Sequence, residues 1–321
     1  MDAWIAIGAA VAAFLAWNNG SNNAANMIGT AVGAKVISLR RALAISALAT
    51  FVGAMMLGKY VTNTVMRGII NIAALHSPIE VCAAMVSVLV AASIWTLVSS
   101  FIKVPMSVHA CVLGGLIGAG LAIGAHVVNW GVLARIFISW LFVPFAAAGF
   151  ALGMHVVIER AVSSRRGLQI LVPVASFVAV FVPILLSLLK SVRVAASAVG
   201  LAAAAGLGSL AIATVLWRRA AAKHGEDLQR VSEEAMKILL IEAAIAMSFS
   251  FGSNDVANSA GPFAAILYSK GAVSGVEATI MAAVAVAGSF LAVGIVSWGS
   301  CVVETVGRGI TLLCPSSAFV S

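Results

Sequence analysis

A chain of 321 residues that is 62% hydrophobic and only 9% charged is not an ordinary soluble domain. Soluble domains carry roughly 25% charged residues, so the mean hydropathy of +1.10 reflects too little polar surface to coat the chain. The net charge of +8 does not indicate nucleic-acid binding, because the Lys and Arg residues form short clusters between apolar runs, as topology signals do. We expect a multi-pass protein of the cell membrane that contacts lipids and no nucleic acid.

Nine apolar runs predict the helices of a membrane protein, in which a span requires ~20 residues. In chain order the runs are 3–17, 42–58, 79–102, 110–128, 132–158, 168–189, 194–217, 238–250 and 278–298. Two further segments, 18–34 and 252–267, are weakly apolar and rich in Gly, Asn and Ser. Because amides find no partners in hydrocarbon, these segments are expected to be buried in protein or to line a wet cavity. The sequence predicts an all-α integral membrane protein.

An internal repeat relates the two ends of the chain. Residues 20–26 (GSNNAAN) match residues 252–258 (GSNDVAN) at five of seven positions, with an offset of 232. Residues 63–69 (NTVMRGI) match residues 304–310 (ETVGRGI), again at five of seven positions, with an offset of 241. Two matches in the same order predict two related halves, and inverted repeats of this kind place a transporter's substrate between the halves, at broken helices.

A strongly charged segment separates the two halves. Residues 218–237 carry nine formal charges and are interpreted as a cytoplasmic loop, as is the turn with Lys35, Arg40 and Arg41. The predicted division is 1–217 for the first repeat and the helices after it, 218–237 for the charged loop, and 238–321 for the second repeat. With these charges inside, the first helix begins outside.

The two motifs carry side chains suited to an anion and a cation. A helix that breaks there would expose N–H groups at a partly positive N-terminus, which binds anions. The predicted substrate ligands are Ser21, Asn22, Asn26, Ser253, Asn254 and Asn258. The predicted cation ligands are Asn23, Asp255 and Glu242, of which Asp255 is the only fixed charge in either motif. The alternatives stay open: small and amide residues also hold helices together, and Glu242 is either a proton carrier or cation ligand, or a protonated acid bonded to neighbouring Ser or Asn side chains.

These motifs, with TVxRGI sequences after each, resemble the paired signature of the inorganic phosphate transporter (PiT) family. The resemblance implies an inverted-repeat helical fold with re-entrant hairpins and transport of inorganic phosphate with Na⁺ or H⁺; some relatives carry sulfate. It also suggests a homodimer. Asp255 matches the family's aspartate, a Na⁺ ligand. In the first motif, Asn23 stands where the family has a second aspartate. That difference favours a single cation or proton coupling.

A second stretch, residues 103–110 (KVPMSVHA), resembles the family's PVSTTHA sequence, whose hydroxyls help to hold the anion. Ser107 keeps one hydroxyl and is the remaining predicted substrate ligand. Lys103 and His109 could supply positive charge, although a lone His is more often a packed or backbone-bonded imidazole. The second half ends before its own copy of this stretch, so we expect the chain to be truncated.

The predicted function is therefore a secondary active transporter, a symporter of inorganic phosphate coupled to Na⁺ or H⁺. The alternatives are a sulfate permease of the same family and, less favoured, an anion channel. No HExxH, GxSxG or Walker sequence is present, so no enzyme activity is expected. No cofactor is expected apart from Na⁺ as a coupling ion at Asp255.

Overall fold

The computed structural model describes residues 2–71, 75, 77–102, 104, 106–189 and 195–309. These residues form nine α-helices: α1 Ala3–Gly33, α2 Leu39–Gly68, α3 Pro78–Phe101, α4 Val108–Ile123, α5 Trp130–Val162, α6 Arg165–Leu189, α7 Ala195–His224, α8 Leu228–Ser269 and α9 Val276–Gly309. Eight of these helices are long and apolar enough to cross a membrane, and only α4, with 16 residues, is shorter. The all-α, multi-pass membrane fold is thereby confirmed.

The helix breaks predicted at the two motifs are wrong. Helix α1 runs unbroken through residues 20–26, and α8 runs unbroken for 42 residues through 252–258. The polar side chains are accommodated by bonding to the preceding turn: Ser21 Oγ donates to the Asn18 carbonyl at 2.9 Å, and Asn254 Nδ2 donates to the Ser250 carbonyl at 2.8 Å. Such local bonds satisfy buried hydroxyls and amides without ending a helix.

Helices α1 and α8 cross in opposite directions, as an inverted repeat requires. Asp2, just before α1, lies 3.1 Å from Lys270, just after α8. Near the middle, Asn19 contacts Asp255, and near the other end Ala31 packs with Leu240. The two motif-bearing helices are therefore antiparallel neighbours whose motifs meet at the crossing.

Glycines repeat this symmetry in the backbone packing. A Cβ added to Gly20 would overlap the carbonyl of Leu291 on α9, and a Cβ added to Gly252 would overlap the carbonyl of Thr50 on α2. The two contacts are related by the offsets found in the sequence: Gly20 and Gly252 differ by 232, and Thr50 and Leu291 differ by 241. Gly53 against Phe249 and Gly294 against Trp17 form a second pair related by the same offsets. Each half thus packs against the other through the same two backbone contacts.

Helices α3 and α4 form a hairpin that enters and leaves on one side of the protein. Ile70, before α3, pairs with Val128, after α4, as an isolated antiparallel bridge. Hydrogen bonds of 2.9 Å from Asn71 N to Val127 O and from Asn129 N to Ile69 O hold the two ends together. Ile102, Val104, Met106 and Ser107 lie between the two helices, at the tip of this re-entrant hairpin, and Val104 and Met106 contact Asn22 in the middle of α1.

The predicted charged loop is almost entirely helical. Helix α7 extends to His224 and α8 begins at Leu228, so the connection is a turn at 225–227 in which Gly225 has a φ of 59°. Asp227 caps α8 by accepting from Arg230 N at 3.2 Å. Glu226 and Asp227 lie in this turn, and the other seven charges lie on the end of α7 and the beginning of α8. The division of the chain into domains at this segment stays a prediction.

Candidate functional site

A cavity of about 550 Å³ lies where α1, the hairpin tip and α8 meet. Twelve residues line it: Asn23, Asn26, Met27, Met106, Ser107, Val108, His109, Met247, Ser250, Phe251, Asn254 and Asp255. Its volume lies within the range of ligand sites, ~300–1,000 Å³. The wall combines apolar surface with amides, hydroxyls, one imidazole and one carboxylate, so it can hold a small polar ion apart from lipid.

Asn22 fixes the hairpin tip against α1. Its Nδ2 lies 3.1 Å from Ser100 Oγ and 3.2 Å from the Val104 carbonyl, and its Oδ1 accepts from Met106 N at 2.9 Å. The side chain is fully buried and does not line the cavity. Asn22 therefore positions the tip and does not contact the space in which a substrate would sit.

The helix N-terminus predicted for the site belongs to α4. Ser107 is its N-cap, and Ser107 Oγ accepts from Ala110 N at 3.2 Å. The first N–H groups of a helix have no acceptor within the helix, and the helix dipole makes this end partly positive. Since Ser107, Val108 and His109 all line the cavity, α4 presents its anion-binding end to that space. The break lies in the hairpin, and not in α1 or α8 as expected.

Asp255 ends a chain of amide hydrogen bonds that runs across the crossing. Asn26 Nδ2 donates to Asn23 Oδ1 at 2.8 Å, and Asn23 Nδ2 donates to Asn19 Oδ1 at 2.8 Å. Asn19 Nδ2 in turn lies 3.4 Å from the carbonyl and 3.5 Å from the carboxylate of Asp255. Every donor in this series of hydrogen bonds points toward Asp255, the single carboxylate of the cavity wall.

A second polar chain reaches Asp255 from the hairpin. Asn258 Nδ2 donates to Asp255 Oδ2 at 3.1 Å, and Asn258 Oδ1 lies 3.1 Å from Nδ1 of His109. The edge of Trp140 on α5 packs against the imidazole, with ring centroids 6.4 Å apart and planes at 74°. His109 is thus connected to the carboxylate through one amide.

The structure brings most of the predicted ligands together, but only some of them line the cavity. Asn23, Asn26, Ser107, Asn254 and Asp255 line the cavity, and Asn258 is bonded to two residues that line it. The remaining motif residues, Ser21, Asn22 and Ser253, are buried and do not line the cavity. The ligand roles of all these residues stay predictions.

Glu242 is not part of the cavity. It lies 13 residues before Asp255, about 20 Å along the axis of α8. Its carboxyl group faces Ser176 on α6 and Ser209 on α7, whose hydroxyl oxygens are 2.6 Å apart, and its Oε2 is buried without a partner among the described residues. Two serines are thus among the neighbours of Glu242, as the alternative of an acid bonded to Ser or Asn expects, and Glu242 lies apart from the other predicted cation ligands. Its role stays a prediction.

Sequence reasoning missed three contributors to the site. Asn19, which joins the two motif helices, stands within the opening cluster of asparagines, and that cluster was the signal for it. Met106 also lines the cavity and lies within the 103–110 stretch, but nothing in that stretch singled out an apolar residue. Ser250 lines the cavity two residues before the second motif, outside the repeat match. Lys103 lies outside the described residues, as do the side chains of Arg67, Glu304 and Arg308 in the second repeat match. Within the described residues, no group of three or more His, Cys, Asp or Glu side chains could hold a metal ion.

An inverted pair of helices that encloses a polar cavity at its crossing, with a helix N-terminus aimed into it, defines a membrane transporter and not an enzyme. The profile of the phosphate transporter family matches residues 19–321. The chain belongs to this family.

Individual relatives agree with that assignment. The chain is 30% identical to a protein named as a phosphate permease in Chlamydia muridarum, over 98% of this chain and 82% of that one. It is also 30% identical to the chloroplastic inorganic phosphate transporter 2-1 of Arabidopsis thaliana, over 96% of this chain and 58% of the relative. A solved structure of a protein named as a sodium-dependent phosphate transporter superposes with a TM-score of 0.89 at 30% identity, covering 99% of this chain and 81% of that one.

Proposed function

We propose that this protein is a symporter that carries inorganic phosphate across the cell membrane together with Na⁺ held at Asp255. The observation that carries the proposal is the cavity at the crossing of α1 and α8, which has anion donors on one wall and a single carboxylate on another. The solved relative is named as sodium-dependent, which supports Na⁺ as the coupling ion. The sulfate alternative has no support among these relatives.

The anion would occupy the side of the cavity formed by the hairpin tip. The Ser107 hydroxyl accepts from a backbone N–H and keeps its own hydrogen to donate. The N-terminus of α4 adds backbone N–H groups and a favourable dipole. Asn26 lines the same space, and its NH₂ group, which gives one hydrogen to Asn23, has a second to donate. Together these groups suit a small tetrahedral oxyanion.

The cation would lie against Asp255. Hard cations such as Na⁺ prefer oxygen ligands, and carboxylate, amide and backbone oxygens are all present at this point of α8. Pro262 has no N–H, so the carbonyl of Asn258 lacks the donor that a helix normally provides. One carboxylate favours one monovalent cation per cycle, because Asn23 and Asn26 bring amides and no charge to the wall. A homodimer stays a prediction.

Uptake of labelled phosphate into proteoliposomes, with the Na⁺ and pH gradients varied separately, tests the proposal. We expect saturable uptake driven by the Na⁺ gradient, and Asp255→Asn should remove its Na⁺ dependence. Asp227→Asn is the matched control, since Asp227 caps α8 far from the cavity and Asn also caps helices well. Uptake that follows only the pH gradient would show that the coupling ion is H⁺ and not Na⁺. Uptake indifferent to both gradients would refute symport.

A further inference from the structure

We infer that His109 makes the cavity selective for phosphate over sulfate, because its Nε2 accepts a hydrogen bond from the hydroxyl group of phosphate. The inference rests on the proposed function, since it names the group that recognises the transported anion. It concerns a residue that stands where the resemblance leads one to expect a hydroxyl side chain.

The tautomer of His109 follows from its neighbours. An ionised carboxylate only accepts hydrogen bonds, so Asn258 must turn its NH₂ group toward Asp255, at 3.1 Å. The Asn258 carbonyl oxygen then faces Nδ1 of His109, also at 3.1 Å. An oxygen acceptor requires a hydrogen on that nitrogen, and the neutral imidazole therefore carries its proton on Nδ1.

The other ring nitrogen, Nε2, has no hydrogen-bond partner among the described residues, and it belongs to a side chain that lines the cavity. Trp140 packs against the same ring, with the two ring planes at 74°. In the tautomer set by Asn258, Nε2 presents a lone pair to whatever anion occupies the cavity.

A lone pair at this position distinguishes the two oxyanions. Near neutral pH, phosphate carries at least one P–OH group, which can donate to Nε2. Sulfate has four acceptor oxygens and no hydrogen, so one oxygen would face the Nε2 lone pair. An acceptor left opposite an acceptor loses a hydrogen bond and suffers repulsion, which is enough to discriminate about tenfold or more.

The test compares binding of labelled phosphate to the purified full chain with competition by sulfate and by monofluorophosphate. Monofluorophosphate is also a tetrahedral dianion, with fluorine in place of the hydroxyl. We expect both competitors to bind at least about tenfold more weakly than phosphate in the wild type, and His109→Thr to reduce that ratio about tenfold, because a hydroxyl can donate or accept. His126→Thr, at the opposite end of α4, is the matched control.

The ratio of the dissociation constants of competitor and phosphate separates selectivity from a change in packing, because a general distortion of the cavity weakens the binding of all three anions together. If His109→Thr does not fold, His109→Gln serves, since its amide can rotate to donate. An unchanged ratio in a folded variant overturns the inference but not the transport proposal. Absence of phosphate binding by the wild type overturns both.

Discussion

Replacement of Asn22 by Ala should weaken the attachment of the re-entrant hairpin to α1. The substitution removes the acceptor of Met106 N–H at 2.9 Å and the donor to Ser100 Oγ and Val104 O at 3.1 and 3.2 Å. The Val104 carbonyl keeps the hydroxyl of Ser99 as a donor, so Met106 N–H is the group left unsatisfied. That group costs roughly 1–3 kcal/mol, and the two lost bonds cost about 1 kcal/mol each.

We therefore expect Asn22→Ala to lower the free energy of unfolding by about 3–5 kcal/mol, measured by titrating the detergent-solubilised protein with SDS. Phosphate binding should weaken as well, because Ser107 and His109 follow the segment that Asn22 holds. Asn26→Ala is the matched control for the unfolding measurement alone: among the described residues Asn26 makes one side-chain hydrogen bond, to Asn23 in its own helix, and it also lines the cavity. A loss below about 1 kcal/mol for Asn22→Ala would show that the tip does not depend on this residue.

Three further predictions follow from the described contacts. Gly20→Ala and Gly252→Ala should each destabilise the protein by about 1–3 kcal/mol, since the added Cβ overlaps a carbonyl, whereas Gly118→Ala, with open space around it, should not; equal melting temperatures for all three would contradict the symmetric packing. The hydrogen bond from Lys270 lowers the pKa of Asp2, so this pair contributes stability above the unfolded pKa of Asp2 and loses it as the pH falls through the folded pKa. Asp2→Asn should flatten the acid limb of a plot of melting temperature against pH, and an unchanged limb would exclude the pair as its cause. Glu242→Gln should leave the phosphate dissociation constant within about twofold of the wild type, since Glu242 lies about 20 Å along α8 from Asp255; a larger change in the binding isotherm would tie Glu242 to the cavity.

The sequence was sufficient for the class of fold and for the meeting of the motifs. Apolar runs long enough for a bilayer required membrane helices, and two motif copies with a constant offset required related halves. The sequence did not reveal that both motifs lie on unbroken helices. Gly and Asn indicate a break when their polar groups need partners outside the helix, and here Ser21 and Asn254 find them one turn back.

Helical spacing was also insufficient to identify which motif residues face the cavity. Spacing of i and i+4 predicts that Asn22 and Asn26 share a face, and likewise Asn254 and Asn258. In the structure Asn26 and Asn254 line the cavity, whereas their partners bond to the hairpin or to Asp255. The cavity uses different ends of the two motifs because the third element, the α3–α4 tip, lies on one side of the crossing. The sequence of neither motif indicates on which side of the crossing the tip lies.

The same asymmetry gives Asn23 a role beyond the loss of a charge. The NH₂ group of Asn23 donates to Asn19 Oδ1, and the oxygen of Asn23 accepts from Asn26. All the amides from Asn26 to Asn19 therefore donate in the direction of Asp255. A carboxylate at this position would face Asn19 Oδ1 with a second acceptor, and Asn19 would have to turn its NH₂ group away from Asp255 to compensate. Asn258 brings a donor to the same carboxylate from the opposite side. Asp255 is therefore the acceptor at which two series of hydrogen bonds end, and the orientation that Asn258 takes there directs its carbonyl oxygen to Nδ1 of His109.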